Sequence, residues 1–272
     1  MWLLGVGSRL HDPQQFTAAS VAVNSSMTLP VVILFAKAPV PGRVKTRLQP
    51  FLSAGQASAL HEAMVRDALE TLDKLSEIAE IELHTDVPAE SWPEFPYVRR
   101  LQPTGDLGWR LQETLRRALD SGRPRALILG SDSPGLSAGQ VGSLLVSAAD
   151  VKIGPTLDGG FFGISASRTT PSMFDQVRWS TASTLADTLN ALKTSGLSVE
   201  IGWSWFDIDE PQDLLKLSEV ETVGRHTVAW FTEMSGYRSV GDLLSNGTTA
   251  ALKCPAITPR RNAPDQRHPS SE

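Results

Sequence analysis

Six consecutive apolar residues, Val31-Val32-Ile33-Leu34-Phe35-Ala36, constrain this chain more than any other stretch. A strand with one wet face alternates apolar and polar side chains, whereas an unbroken run fits a strand covered on both faces. Ala126-Leu127-Ile128-Leu129 repeats the pattern. Helical stretches separate such runs. Ser53 can cap a helix whose stripe is Leu60, Met64, Ala68, Leu72 and Leu75, and Leu107, Leu111, Leu115 and Leu119 recur every four residues. A third helix starts at Ser137 and carries Val141, Leu144, Leu145 and Ala148. Short strands are expected at Ile81–His84, Tyr97–Leu101, Asp150–Gly154 and Phe161–Ile164. A helix around Leu185, Leu189 and Leu192 leads to a strand over Val199–Phe206, and Pro211 fits the first turn of a last helix with Leu214, Leu215 and Leu217. Strands alternating with helices give an α/β class with a mostly parallel sheet covered on both faces. Ligands of such sheets sit at the carboxyl ends of the strands.

The pattern fades at both ends. Residues 1–27 carry no periodicity and read as a disordered or over-extended start, with Met27 just before the ordered pattern. From Cys254 the chain is Pro-rich and polar, a tail by composition. One domain is expected over 28–235, followed by an extension and tail over 236–272. A chain of 272 residues with 41% hydrophobic content can bury one sizeable core.

The net charge of −5 provides no global basic field for a polyanion, so no nucleic-acid partner is expected. Cys254 is the single cysteine, which leaves neither an internal disulfide nor a thiolate metal site. His11, His61, His84, His226 and His268 are scattered without ligand spacing, so zinc is not expected. No apolar run approaches the roughly 20 residues of a membrane span. The opening Met1–Gly7 lacks a basic segment, which makes a cytoplasmic location the expectation.

Chemistry concentrates where strands end. The first buried strand runs into Lys37-Ala38-Pro39-Val40-Pro41-Gly42-Arg43-Val44-Lys45-Thr46-Arg47-Leu48. Four cations fall within eleven residues, and no acid occurs from Val31 to His61. Two prolines restrict this backbone and Gly42 permits a close approach. Such a loop can hold a polyphosphate, with Arg47 as a bidentate donor and Lys45 as a point charge; the plain alternative is a solvated basic loop. It lacks the Gly-Lys pair of a Walker A loop, which argues against a P-loop kinase.

Three acidic segments could complete a site. Asp132, in Gly130-Ser131-Asp132-Ser133-Pro134, follows a buried strand and suits a magnesium ligand, or else an Asx turn. In Trp205-Phe206-Asp207-Ile208-Asp209-Glu210-Pro211, alternation sends Phe206 and Ile208 to one face and Asp207 and Asp209 to the other. Asp158-Gly159-Gly160 is a turn that can bring backbone and carboxylate to a ligand. Asp106, in Gly105-Asp106-Leu107-Gly108, reads first as a helix cap, and Trp179-Ser180-Thr181 reads as a helix start.

Taken together and in this order, these segments resemble the radical-SAM/selenodomain-associated transferase family. That family lies in the nucleotide-diphospho-sugar transferase superfamily, alongside molybdenum-cofactor guanylyltransferase and phospholactate guanylyltransferase. The resemblance covers about Val31 to Leu217, and its distinctive block is Phe35–Leu48. It implies a GT-A, Rossmann-like three-layer fold with a mostly parallel, mixed sheet. It further implies catalytic roles for Lys45, Arg47, Asp132 and Asp209, and magnesium or manganese on Asp132 and Asp209. Nucleotide or substrate contacts are implied at Ala36, Lys37, Gly42, Arg43, Thr46, Gly105, Asp106, Asp158, Gly159 and Gly160. The chain departs from the pattern at Ser133, where Cys is frequent, Gly135, where an acid is usual, Trp109, where Glu is usual, and Phe161-Phe162, where Tyr is common.

The implied partners are a nucleoside triphosphate or nucleotide-sugar and a small-molecule acceptor, with a homodimer allowed for. Nucleotidyl transfer to an anionic acceptor leads, because the cation-rich loop suits a triphosphate. Glycosyl transfer, with Asp158 as the base candidate, is second. A non-catalytic nucleotide-binding protein is third.

Overall fold

The structure, a computed structural model, describes residues 28–49, 51–88, 92, 96–219 and 223–235. The expectations for residues 1–27 and 236–272 fall outside the described residues. The chain folds as an α/β protein around one mixed sheet. Its strands are β1 (Val31–Ala36), β2 (Glu80–Thr85), β3 (Val98–Leu101), β4 (Ala126–Gly130), β5 (Val151–Pro155), β6 (Phe161–Ala166) and β7 (Val199–Ile201). Their order across the sheet is β3-β2-β1-β4-β6-β5-β7. β6 runs antiparallel to its neighbours β4 and β5, and the remaining pairs are parallel.

The continuous apolar run of β1 is buried at all six positions, because it lies mid-sheet with helices on both faces. Val32 and Leu34 join Val65, Leu69 and Leu72 of α1 (Ala54–Asp73) and Val141 and Leu144 of α3 (Ala138–Leu145). Val31, Ile33 and Phe35 face the other way, onto Leu111 and Leu115 of α2 (Leu107–Asp120) and Leu192 of α4 (Thr184–Thr194). Ser53 and Gln56 form a capping box at the start of α1, and Ser137 and Gln140 do the same for α3.

A third apolar cluster lies beyond the sheet. Leu48, Leu60, Met64, Phe206, Ile208, Leu214, Leu217, Trp230 and Phe231 pack together there. They bind the basic loop and the 205–209 segment to α1 and to α5 (Arg225–Ser235), an element the sequence pattern did not announce. The Asp67 carboxylate of α1 takes the amides of His226 and Thr227, at 2.9 and 2.8 Å, and so caps α5 from outside.

Register sets the working edge of the sheet. Ala36 pairs with Thr85, and Phe35 with Gly130, so Lys37, Asp86 and Ser131-Asp132 emerge side by side. Because β6 is antiparallel, it begins at this same edge.

Four local features differ from the sequence reading. The strand expected over Val199–Phe206 stops at Ile201; the Gly202 amide still reaches the Ile153 carbonyl at 2.7 Å, and pairing resumes only at the Thr156–Trp205 bridge. Pro211–Glu219 winds as a 3-10 helix, its start tied by the Asp213 carboxylate to the amides of Asp209 and Glu210. Ala148 lies past the end of α3. Trp179-Ser180-Thr181 precedes α4 rather than opening it; Ser180 has a left-handed φ of 59°, and Trp179 packs edge-on against Phe161 and Phe174.

Candidate active site

The basic loop leaves β1 at Lys37, which is exposed, and returns to the core through buried Val44 and Leu48. Gly42 sits at φ +83° with open space around it, so the backbone conformation, not crowding, calls for glycine there. Lys45 is left-handed at φ 48° without being glycine, a conformation that persists only when surrounding contacts hold it. Those contacts are clear. The side chain is 3% exposed and its ammonium donates to the Ile208 carbonyl at 2.5 Å. It also makes a very short contact with Asp132 Oδ1 and lies 3.7 Å from Asp209 Oδ1. Arg47, mostly exposed, lies 3.8 Å from Asp209 Oδ2.

Asp132 and Asp209 reach this ammonium from two segments far apart in the chain. Asp132 lies two residues past the end of β4, and its carbonyl accepts the Ile208 amide at 2.9 Å. That bond ties the two acidic segments together through their backbones. Phe206 and Ile208 are buried in the third apolar cluster, which leaves Asp207 and Asp209 on the opposite side, as alternation requires. Ser133 donates a very short hydrogen bond to Asp207 Oδ1.

Crowded carboxylates shape the electrostatics. For Asp132, desolvation opposes ionisation, but the Lys45 charge and hydrogen bond outweigh it and hold the carboxyl below its usual range. Asp207 goes the other way: desolvation, reinforced by Asp132 and Asp209, pushes it to about 7 despite the Ser133 hydrogen bond. Desolvation, with Asp132 and Asp158, also raises Asp209 against Lys45 and Arg47. Three carboxylates thus share one buried cation and one exposed one.

A cleft of about 240 Å³ opens beside this group, lined by Arg47, Asp158, Asp207, Asp209, Glu210 and Lys216 among others. Asp158 reaches it from a self-contained turn, accepting from Thr156 Oγ1 at 2.5 Å and the Gly160 amide at 3.0 Å. Gly159 has φ +90°, and a Cβ there would stand 2.2 Å from the Ala182 carbonyl oxygen. Its close approach is therefore to the chain's own backbone. Asp106 accepts the Trp109 amide at 2.8 Å, a capping bond that closes the first turn of α2 rather than reaching Lys45. The adjacent Gly105, at φ +139°, would bring a Cβ to 2.7 Å from the Trp109 indole.

The remaining expected positions frame the loop. Ala36 is the buried last residue of β1, Thr46 is exposed at the start of the 3-10 turn Thr46–Leu48, and Arg43 pairs with Asp86 at 3.2 Å. Sequence reasoning passed over Asp86, Ser58 and His61, all of which touch this loop. Their partners are backbone groups far along the chain, so spacing gives no sign of them.

Could this site hold a divalent cation? Asp132, Asp209 and the Ile208 carbonyl supply hard oxygen donors around one cationic group, the chemistry magnesium and manganese accept. Lys45 occupies that position, so a metal would have to displace its ammonium. Among the described residues, Asp67, Glu70 and His226 form a separate group whose candidate ligand atoms lie within 4.8 Å of one another. Their lone pairs are already engaged: Asp67 caps α5, and Glu70 accepts from Arg225 at 2.5 Å and from His226 at 2.8 Å. The Arg225 charge there disfavours a second cation.

Comparison with known proteins adds three findings. Residues 78–181 match the family model described as uncharacterized protein conserved in bacteria (DUF2064). The fold matches a crystal structure from Desulfovibrio desulfuricans G20, provisionally described as a nucleotide-diphospho-sugar transferase. That match has a TM-score of 0.67 and 27% identity, and covers 83% of this chain and 97% of that one. CMP:2-keto-3-deoxy-manno-octonic acid synthetase complexed with CTP matches at TM-score 0.46 and 15% identity, covering 70% of this chain and 97% of that one. The latter match is too distant to carry an argument about this site. No curated protein matches the chain in sequence.

Proposed function

We propose that residues 28–235 form a metal-dependent transferase acting on a nucleotide phosphate, with nucleotidyl transfer from a nucleoside triphosphate as its reaction. The observation that carries this reading is the meeting of Lys45 and Arg47 with Asp132 and Asp209 at the carboxyl edge of the sheet. The likeness to the Desulfovibrio protein supports the transferase class.

Lys45 and Arg47, with Lys37 and Arg43 on the same loop, would hold the triphosphate. Asp132 and Asp209 would hold the magnesium or manganese ion, which neutralises charge that builds on the phosphates during transfer. Were Lys45 to turn to phosphate, Asp132 and Asp209 would be left to hold that ion. The acceptor oxygen attacks the α-phosphorus, the bond from that phosphorus to the α,β-bridging oxygen breaks, and pyrophosphate leaves. An ionised phosphate or phosphonate acceptor arrives without a proton to remove, so no side chain need act as base. The enzyme's part is positioning and charge neutralisation.

A second reading rests on the cleft. Beyond Asp209 its walls carry Asp158, Asp207, Glu210 and Asp213 against Arg47 and Lys216, a lining that suits a hydroxyl-rich acceptor better than an anion. That favours glycosyl transfer from a nucleotide-sugar. One assay separates the two. The protein is incubated with magnesium, each nucleoside triphosphate and a panel of phosphorylated acceptors, and pyrophosphate is measured; the set is repeated with nucleotide-sugars, measuring nucleoside diphosphate. Pyrophosphate is the expected product. Diphosphate in the second set alone would replace the leading reading with the other.

A further inference from the structure

Three side chains from outside the basic loop grip three successive residues of its backbone. His61 bonds the Lys37 carbonyl through Nε2 at 2.8 Å. Asp86 Oδ1 accepts the Ala38 amide at 2.7 Å. Ser58 Oγ donates a very short hydrogen bond to the Pro39 carbonyl. Ser58 and His61 stand three residues apart on α1, so they share one face of that helix, while Asp86 follows the end of β2. The loop is therefore held at its root from two independent elements.

We propose that Ser58, His61 and Asp86 are positioning residues, a three-point clamp that fixes the path of Lys37–Pro39 so that the loop's cations meet one polyphosphate. This rests on the assignment of the loop as a phosphate site. The chemistry of the clamp suits that purpose. All three bonds go to main-chain groups, so they set the direction of the backbone itself. Because the Lys37 carbonyl can only accept, His61 carries its proton on Nε2. That leaves Nδ1 buried and without a partner, a burden an apolar residue would not impose. Both Ser58 and His61 are themselves buried, so neither can exchange the loop for water. Asp86 adds a second hold through Arg43, at 3.2 Å, on the far side of Gly42. A loop ordered before binding loses less freedom when it closes on a ligand, and affinity rises accordingly.

The test uses the full-length protein and inorganic triphosphate as probe, with binding measured by calorimetry with and without magnesium. Wild type is expected to bind. Ser58→Ala and His61→Leu are each expected to weaken binding by about tenfold or more while keeping the wild-type circular dichroism spectrum. Asp86→Ala should do the same, and Asp86→Asn, which keeps an oxygen for the Ala38 amide, should recover most of the loss. The recovery is the readout that general destabilisation would not produce, and it keeps the test usable should His61→Leu fail to fold. Variants that bind as wild type does would overturn the clamp and leave the phosphate site standing. Absence of binding by wild type itself would overturn both.

Discussion

Lys45 is a buried ammonium on a left-handed backbone, paired with two aspartates from segments far apart in sequence. Burying a charge is costly unless it is paired, and here the pairing is shared between Asp132, Asp209 and the Ile208 carbonyl. Under the proposed function, an anion would draw Lys45 away and leave the two carboxylates to a metal. The prediction at this scale concerns Asp132→Asn. Its side chain is 46% exposed, and Asp209 and the Ile208 carbonyl still pair with Lys45 in the variant, so the fold should persist by circular dichroism. Magnesium-dependent turnover should fall by about 10²- to 10³-fold, the usual effect of removing one preorganised electrostatic group. Unchanged turnover would remove Asp132 from the metal site.

Single elements carry their own tests. β2 and β3 are joined by Glu82, whose buried carboxylate accepts from His84 Nε2 and Arg100 Nε at 2.8 Å each. Burial alone would raise its pKa; the two hydrogen bonds outweigh it and bring it from 4.5 down to about 2. A carboxylate whose pKa falls on folding stabilises the fold fully above the unfolded value, and that support fades as pH drops from about 4.5 toward 2. Glu82→Gln should therefore cost up to about 3 kcal/mol at pH 7 and flatten acid denaturation in that window. A wild-type slope in the variant would contradict it. For α5, Asp67→Ala frees the His226 and Thr227 amides and should cost about 1–2 kcal/mol by urea denaturation.

These elements also show what the sequence could and could not reveal. β1 and β4 were legible because unbroken apolar runs leave few alternatives, and α1 and α3 because their capping boxes coincide with an apolar stripe. The end of β7 at Ile201 was not legible, since Gly202 breaks a run whose apolar content continues. Asp132 was marked out by its place after a buried strand, and Asp209 by alternation with Phe206 and Ile208 together with the family resemblance; their approach to Lys45 is what the fold adds. Ser58, His61 and Asp86 were not, because their partners are backbone atoms from 19 to 48 residues away along the chain.

At the scale of the molecule, topology does the assembling. Parallel β1, β2 and β4 end together, antiparallel β6 starts at the same edge, and the third apolar cluster brings Asp207-Ile208-Asp209 back over it. No helix among the described residues is long and apolar enough to cross a membrane. The central claim is that the loop cations and the two aspartates act on one metal-bound anion. Manganese titration followed by electron paramagnetic resonance, with and without a non-hydrolysable nucleoside triphosphate, tests it most directly. If the sites are coupled, the triphosphate should tighten manganese binding by about tenfold or more, and Asp132→Asn or Lys45→Met should abolish that gain. Manganese that binds equally with and without the triphosphate, or that is lost only on substituting Asp67, Glu70 or His226, would contradict the claim.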